Sequence, residues 1–179
     1  MRVIAGKYKG RRLECPKNGS VRPTTDKVKE AMFGAIQFQV QGARVLDAFA
    51  GSGALGIEAL SRGAAHVDFA EKDPACLKAL EENLQKLDDE NARVCRGDVI
   101  KLMPKMGPYD MMLLDPPYDD GLYGPALEAA HASGVLAPGA IIVAECRRIF
   151  DFSLPMGYNL TKRKDYGDIS LFFLVYGDE

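Results

Sequence analysis

The segment Asp115-Pro116-Pro117-Tyr118 closes the apolar run Tyr109-Asp110-Met111-Met112-Leu113-Leu114. Its residue types suit one kind of chemistry. A carboxylate at Asp115 and the backbone carbonyl of Pro116 can each accept a hydrogen from an exocyclic amine on a flat ring. That pulls the nitrogen toward a tetrahedral shape and frees its lone pair for an electrophile. The tandem prolines hold the carbonyl direction and prevent the chain from continuing as ladder or helix. Tyr118 can stack on the ring. Asp115, Pro116, Pro117 and Tyr118 are therefore read as one catalytic unit, with no covalent nucleophile required.

A second constellation lies around Asp47-Ala48-Phe49-Ala50-Gly51-Ser52-Gly53-Ala54-Leu55-Gly56. Missing side chains there let the backbone approach a ligand, and the following helix offers free N–H groups. Read literally, Gly51, Gly53 and Gly56 make G-x-G-x-x-G, and Glu71 follows Gly51 by 20 residues, so the dinucleotide fingerprint is met. Two features point away from NAD. Asp47 beside the loop repels a pyrophosphate and welcomes an amine, and the chain has no second domain for a hydride-transfer substrate. S-adenosylmethionine, with ribose, adenine, sulfonium and amino group, fits better. Glu71 is expected to take the ribose hydroxyls, Asp98 with Val99 the adenine, and Asp47 the methionine amine, with Ala48, Gly51, Ser52 and Gly53 forming the cradle. Each acid alone reads first as a helix cap or solvated strand end. Three at the ends of three successive strands beside one glycine loop favour the cofactor.

The elements that must position these residues alternate regularly. Strand patterns fall near 44–49, 66–71, 93–98, 109–115 and 140–146, and helix patterns near 54–63, 74–87, 99–104 and 122–133, after a first helix carrying Val28, Ala31, Met32, Ala35 and Ile36. Thr24 or Thr25 is its natural N-cap and Gly42 marks the exit. Repeated βα units give an α/β fold with a mostly parallel sheet covered on both faces. Ligands in such sheets bind outside the carboxyl ends of the strands, where Asp115 and the acids at 47, 71 and 98 fall. The tail, 159–162 and 170–176, reads as an antiparallel hairpin. Residues 1–15 alternate two β-prone runs about Gly6-Lys7-Tyr8-Lys9-Gly10, a hairpin whose tip would present Lys7, Tyr8 and Lys9. The domain expectation is a basic hairpin extension over 1–22 and one catalytic domain over 23–179.

The net charge of −2 hides an asymmetry. Residues 1–29 hold nine Lys and Arg against Glu14 and Asp26, a local +7 that leaves −9 on the remainder. Such an end is an electrostatic footprint for a polyanion. Basic side chains around an aromatic suit RNA, so Lys7, Tyr8, Lys9, Arg11, Arg12 and Arg22 are the expected RNA contacts. With 179 residues, 47% of them hydrophobic, the chain is the size of one domain. No apolar run approaches a membrane span and no signal peptide is visible, so a cytoplasmic protein without membrane contact is expected. Cys15, Cys76, Cys95 and Cys146 are widely spaced with no C-x-x-C pair, against a zinc site or disulfide framework. Cys146 is read as core, and no metal is expected.

With these residues assembled, the chain resembles class I methyltransferases, and more narrowly the RsmD family of bacterial 16S ribosomal RNA guanine-N2 methyltransferases. The stretches that carry the likeness are RVIAGKYKGRRL, RPTTDKVKEAMF, VLDAFAGSGALGIEALSRGA and LLDPPY. The glycine loop and the DPPY tetrad are shared by many methyltransferases, while the first two stretches are more specific. Tyr118 stands where some relatives have Phe. The resemblance implies a Rossmann-like seven-stranded sheet whose last strand is antiparallel, with an N-terminal hairpin extension. It also implies S-adenosylmethionine as cofactor and 16S rRNA, in an assembled small subunit, as partner; a monomer is expected. An adenine-N6 methyltransferase and a noncatalytic RNA-binding assembly factor of the same fold are the competing readings.

Overall fold

The structure is a computed structural model and describes residues 1–16, 25–117, 120–148 and 153–177. Among these, seven strands form one sheet in the order β3-β2-β1-β4-β5-β7-β6: β1 (Arg44–Asp47), β2 (His66–Glu71), β3 (Ala92–Arg96), β4 (Tyr109–Leu114), β5 (Leu136–Arg147), β6 (Tyr158–Tyr166) and β7 (Ile169–Tyr176). Strands β1 to β5 pair in parallel. β7 pairs antiparallel with both β5 and β6, so β6 again runs with the parallel set and only β7 runs against it. The expected seven-stranded class I methyltransferase sheet is thus present. The strand order reverses between β1 and β4, the switch point where α/β sheets open a ligand crevice.

The helices are α1 (Asp26–Ala35), α2 (Gln37–Val40), α3 (Ala54–Ser61), α4 (Pro74–Leu87), α5 (Val99–Leu102) and α6 (Tyr123–Ser133). Thr25 caps α1, its side chain accepting from the Val28 N–H at 3.3 Å. Asp73 caps α4 by accepting from the Ala75 and Cys76 N–H groups, with Pro74 at the first helical position, the place where its missing donor costs nothing.

Several boundaries differ from the sequence reading. β1 stops at Asp47, not residue 49, and α3 at Ser61, not residue 63. β5 begins at Leu136, because the strand passes Pro138-Gly139 through an irregularity in its pairing with β4 where the sequence signals a break. β6 continues to Tyr166, leaving Gly167-Asp168 as a two-residue turn.

Alternation along the strands divides the core. Val45, Leu113, Val143, Leu171 and Phe173 face one side with α1, α3 and α4. Leu46, Met112, Leu114, Ile142, Ala144, Phe172 and Leu174 face the other with α6. Tyr109, which opens β4, donates its hydroxyl to Asp68 of β2, a carboxylate that Arg93 also grips at 2.7 and 2.6 Å. The start of the central strand is thereby tied across the sheet.

Residues 1–16 make a single antiparallel bridge, Arg2 to Arg12, and pack Val3, Tyr8 and Leu13 into the first of these core clusters. The tie is Glu58 of α3, whose side chain is fully buried with that of Lys29. Its carboxylate accepts from the N–H groups of Ile4 (2.9 Å) and Ala5 (3.1 Å) and from Arg62 Nε (2.8 Å), and lies 3.4 Å from Lys29 Nζ. Lys29 in turn donates to the Arg2 carbonyl at 2.5 Å. Close approach makes Gly6 obligatory, since a Cβ there would sit 1.7 Å from the Ser61 carbonyl oxygen. Removing one partner of a buried, hydrogen-bonded charge pair strands the other charge, so Glu58→Ala should lower unfolding free energy by about 3–5 kcal/mol. Denaturant titration gives that loss and amide exchange should show deprotection at Ile4 and Ala5; wild-type protection at both would refute the role of Glu58.

Candidate functional site

The glycine loop leaves β1 at the switch point and is held from three directions. The Ala48 N–H donates to Leu113 O on β4 and the Ala50 N–H to Ala70 O on β2, both at 3.0 Å. Ser52 is buried, and its carbonyl accepts from Asn83 Nδ2 of α4 at 2.9 Å. Asp47, 1% exposed, accepts from the Gly56 N–H at 2.8 Å. That contact sets the residue at 56: a Cβ there would lie 2.3 Å from Phe69 Cε1 and 2.9 Å from Asp47 Oδ2.

The three acids of the cofactor reading arrive at the same edge, each already engaged. Glu71 accepts from the Gly51 N–H with one oxygen, at 2.8 Å, and from the Lys72 and Asp73 N–H groups with the other, both at 2.8 Å. An ionised carboxylate has about four acceptor positions, so room remains for a ligand hydroxyl. Asp98 caps α5, accepting from the Ile100 N–H at 3.0 Å with Oδ1, so the capping alternative is realised with one of its two oxygens. Val99 is buried at the start of α5. Burial, outweighing the Gly56 hydrogen bond and aided by the nearby charge of Glu71, pushes the Asp47 carboxyl up to about 7.

Asp115 stands one residue beyond the Leu114–Ala144 pair and one strand from Glu145. Alternation puts Asp47, Asp115 and Glu145 on the same face as Leu113 and Val143. Burial, then the charges of Glu145 and Asp47, raise the Asp115 carboxyl well above the ordinary carboxylate range. Glu145, 3% exposed, was missed by sequence reasoning; its only signal was an acid inside the otherwise apolar run Ala140–Cys146. Tyr123 of α6 donates to the Glu145 carbonyl at 2.6 Å and anchors that strand end. Pro116 is buried and Pro117 exposed. Cys146 is fully buried, and burial drives its thiol up to about 12, which leaves no thiolate at neutral pH. Tyr118, Arg22 and Thr24 lie outside the described residues, and among the described residues no cluster of His, Cys, Asp and Glu could hold a metal ion and no helix is long and apolar enough to cross a membrane.

The basic N-terminal residues are placed differently from the acids. Tyr8 does not present its ring as expected: it is 4% exposed, its hydroxyl donates to Asp89 at 2.6 Å, and its N–H donates to Ser61 Oγ at 2.9 Å. The ring satisfies core packing and a long-range carboxylate, a partner 81 residues away that local spacing cannot reveal. Lys7 lies 3.8 Å from Asp89 and Arg11 donates to Lys86 O at 2.9 Å, while Lys9 and Arg12 are exposed. This turn sits against Ser61 at the end of α3, and α3 spans about 12 Å from the glycine loop.

A carboxyl whose folded pKa lies above its unfolded value contributes stability that is full below the unfolded pKa and lost as pH rises through the folded one. For Asp47 the window runs from about 4 to 7, with up to about 4 kcal/mol at stake. Relative to the ligand-free wild type, Asp47→Asn should therefore gain stability across that window. Melts from pH 4 to 8 that show a pH-independent difference would contradict the buried-carboxyl assignment.

The comparisons agree with this geometry. A family model described as Conserved hypothetical protein 95 matches residues 1–175. Ribosomal RNA small subunit methyltransferase D of Escherichia coli (strain K12) is 36% identical over 172 residues, covering 95% of this chain and 87% of that protein. The protein of the same name from Haemophilus influenzae is 35% identical over 175 residues, covering 95% and 91%. The solved structure of Escherichia coli yhhF superposes with a TM-score of 0.89 at 34% identity, covering 100% of this chain and 99% of that one. A more distant likeness in fold, at 16% identity and a TM-score of 0.67, is an RNA methyltransferase from Salinibacter ruber solved in complex with S-adenosyl-L-homocysteine.

Proposed function

The chain belongs to the RsmD family of ribosomal RNA methyltransferases, and from that premise we propose that it transfers a methyl group from S-adenosylmethionine to the exocyclic N2 of a guanine in 16S rRNA of the small subunit. The observation that carries this reading is the meeting of Asp115 with Asp47 beside the glycine loop, at the switch point of the sheet.

The donor set fits the cofactor. Burial raises both the Asp47 and the Asp115 carboxyl, with the charge of Glu71 adding at Asp47 and the charges of Glu145 and Asp47 adding at Asp115, an environment that a cation stabilises. The bound group supplies an electrophilic methyl on a sulfonium, and everything else falls to the chain. Asp47 takes the ligand ammonium, Glu71 the ribose hydroxyls, and Asp98 beside Val99 the adenine amine, while Ala48, Gly51, Ser52 and Gly53 hold the backbone close. Positive charge beside Asp47 and Asp115 draws both toward the ionised form. Ligand uptake thereby readies Asp115 to accept a hydrogen from the guanine amine. The Pro116 carbonyl accepts the other, Pro117 stiffens that geometry, and Tyr118 stacks on the base. As the nitrogen gains its methyl, its surplus proton passes to Asp115. Positioning and fixed acceptors supply the acceleration.

Labelled methyl transfer to naked 16S rRNA and to assembled small subunits, followed by nucleoside analysis, should yield N2-methylguanosine. N6-methyladenosine in its place would overturn the guanine assignment, and no transfer to either RNA would favour a noncatalytic role. Asp115→Asn should lower kcat roughly 10²–10³-fold with cofactor affinity by calorimetry largely kept. Full activity in that variant would remove Asp115 from the mechanism.

A further inference from the structure

We propose that the basic side of β6 is a second RNA-binding flank, in which Lys162 and Lys164 hold phosphates of the substrate strand beside the catalytic edge. The inference rests on the rRNA reading above. β6 is the outermost strand of the sheet, and its exposed run Thr161-Lys162-Arg163 continues into the half-buried Lys164. Its pairing with β7 slips between Leu160 and Lys162. A slip of one residue moves every following side chain to the opposite face. Leu160 stands opposite Leu174 in the cluster shared with α6. Beyond the bulge, Lys162 stands opposite Phe173 and Lys164 opposite Leu171, both in the cluster on the other face. That is the face of Asp47, Asp115 and Glu145.

Register then places Lys164 in a single cross-sheet row with Leu171 and Glu145, and Asp115 is the next position in it. Three strand spacings of about 4.8 Å separate Asp115 from Lys164, roughly 14 Å. The charges are available: neither Lys162 nor Lys164 has an ion pair or side-chain hydrogen bond among the described residues. The neighbouring arginines are engaged, Arg163 and Arg148 both with Asp165, at 3.1 and 3.7 Å, and Arg163 over the Phe172 ring.

A polyanion must approach an edge lined with carboxylates, and cations flanking them offset the repulsion. The N-terminal turn serves the opposite half of the sheet, and it lies against the far end of α3. Lys162 and Lys164 stand on the other half, in and next to the row of Asp115. Lysine on an edge strand also discourages sheet-to-sheet pairing. That role is indifferent to the face the side chain takes, whereas the bulge commits both lysines to the face of the acids.

The test is binding of the full chain to a 16S rRNA fragment, measured by fluorescence anisotropy from 50 to 300 mM salt. Each phosphate contact contributes about one to the slope of log affinity against log salt. The double variant Lys162→Gln/Lys164→Gln should flatten that slope by about two, with thermal melting and calorimetric S-adenosylmethionine affinity unchanged. Lys105→Gln, remote from this edge, should leave the slope as it is. A wild-type slope retained in the double variant overturns the flank, also if the variant aggregates more readily. In that case a slope reduced by Lys9→Gln/Arg12→Gln leaves the rRNA reading standing. A wild type that binds no RNA, or with no salt dependence, overturns both.

Discussion

Carboxylates crowded together away from bulk water cannot all ionise, and the carboxyl edge of this sheet gathers three on one face, Asp47 and Glu145 buried and Asp115 half-buried. Asp47, Asp115 and Glu145 arrive from β1, β4 and β5 because parallel strands in register deliver equivalent positions to the same face. Burial first, and then Coulomb repulsion at reduced dielectric, from Glu71 at Asp47 and from Glu145 and Asp47 at Asp115, raise both carboxyls above their ordinary range. The surrounding architecture fixes where they sit. Gly56 donates to Asp47 and leaves no room for a side chain, and Tyr123 pins the end of β5 beneath Glu145. A cation entering this edge relieves the repulsion it meets, which gives the proposed binding of a sulfonium and an ammonium a physical origin in the ligand-free protein.

The opposite electrostatic solution holds the N-terminal segment. Glu58 and Lys29 are also withdrawn from water, yet Glu58 collects two backbone N–H donors, Arg62 and Lys29. Such a pair survives burial because its remaining acceptors are satisfied. The same chain therefore uses withdrawn acids in two ways: saturated with donors at Glu58, where a segment must stay fixed, and raised in pKa at Asp47 and Asp115, where the proposed ligand binds.

Much of this was legible in the sequence because it is local. The βα alternation, the glycine loop, the acids at strand ends and the terminating prolines all follow from periodicity and backbone chemistry within a few residues. What escaped depends on partners far along the chain. Tyr8 between lysines reads as an exposed stacking ring until Asp89 is seen beneath it. Glu145 is a single acid in an apolar strand, and only the β4–β5 register makes it a neighbour of Asp115. Asp98 carried two readings, and the cap at Ile100 engages only one of its oxygens. The irregularities at Pro138-Gly139 and at Thr161 left no pattern distinguishable from a turn or a regular strand, since a bulge is defined by the partner strand.

The Thr161 bulge matters more than its size suggests. A regular β6 would turn Lys162 and Lys164 toward the side of Phe172, where Arg163 now lies, and would put Arg163 on the acidic face. Arg163 and Asp165 lie two residues apart, pair with each other, and share the face of Phe172. On the acidic side that pair would present little net charge. One inserted residue thus sorts the strand into a neutralised face on the side of Phe172 and a cationic face on the side of the acids. It does so with the Thr161 hydroxyl donating to Phe173 O at 2.9 Å, a bond that stabilises the bulge itself. Side-chain sorting by register is the same device that brings Asp47, Asp115 and Glu145 together, and in this fold it sets both the charge that would draw a cation in and the charge that would hold an RNA strand over it.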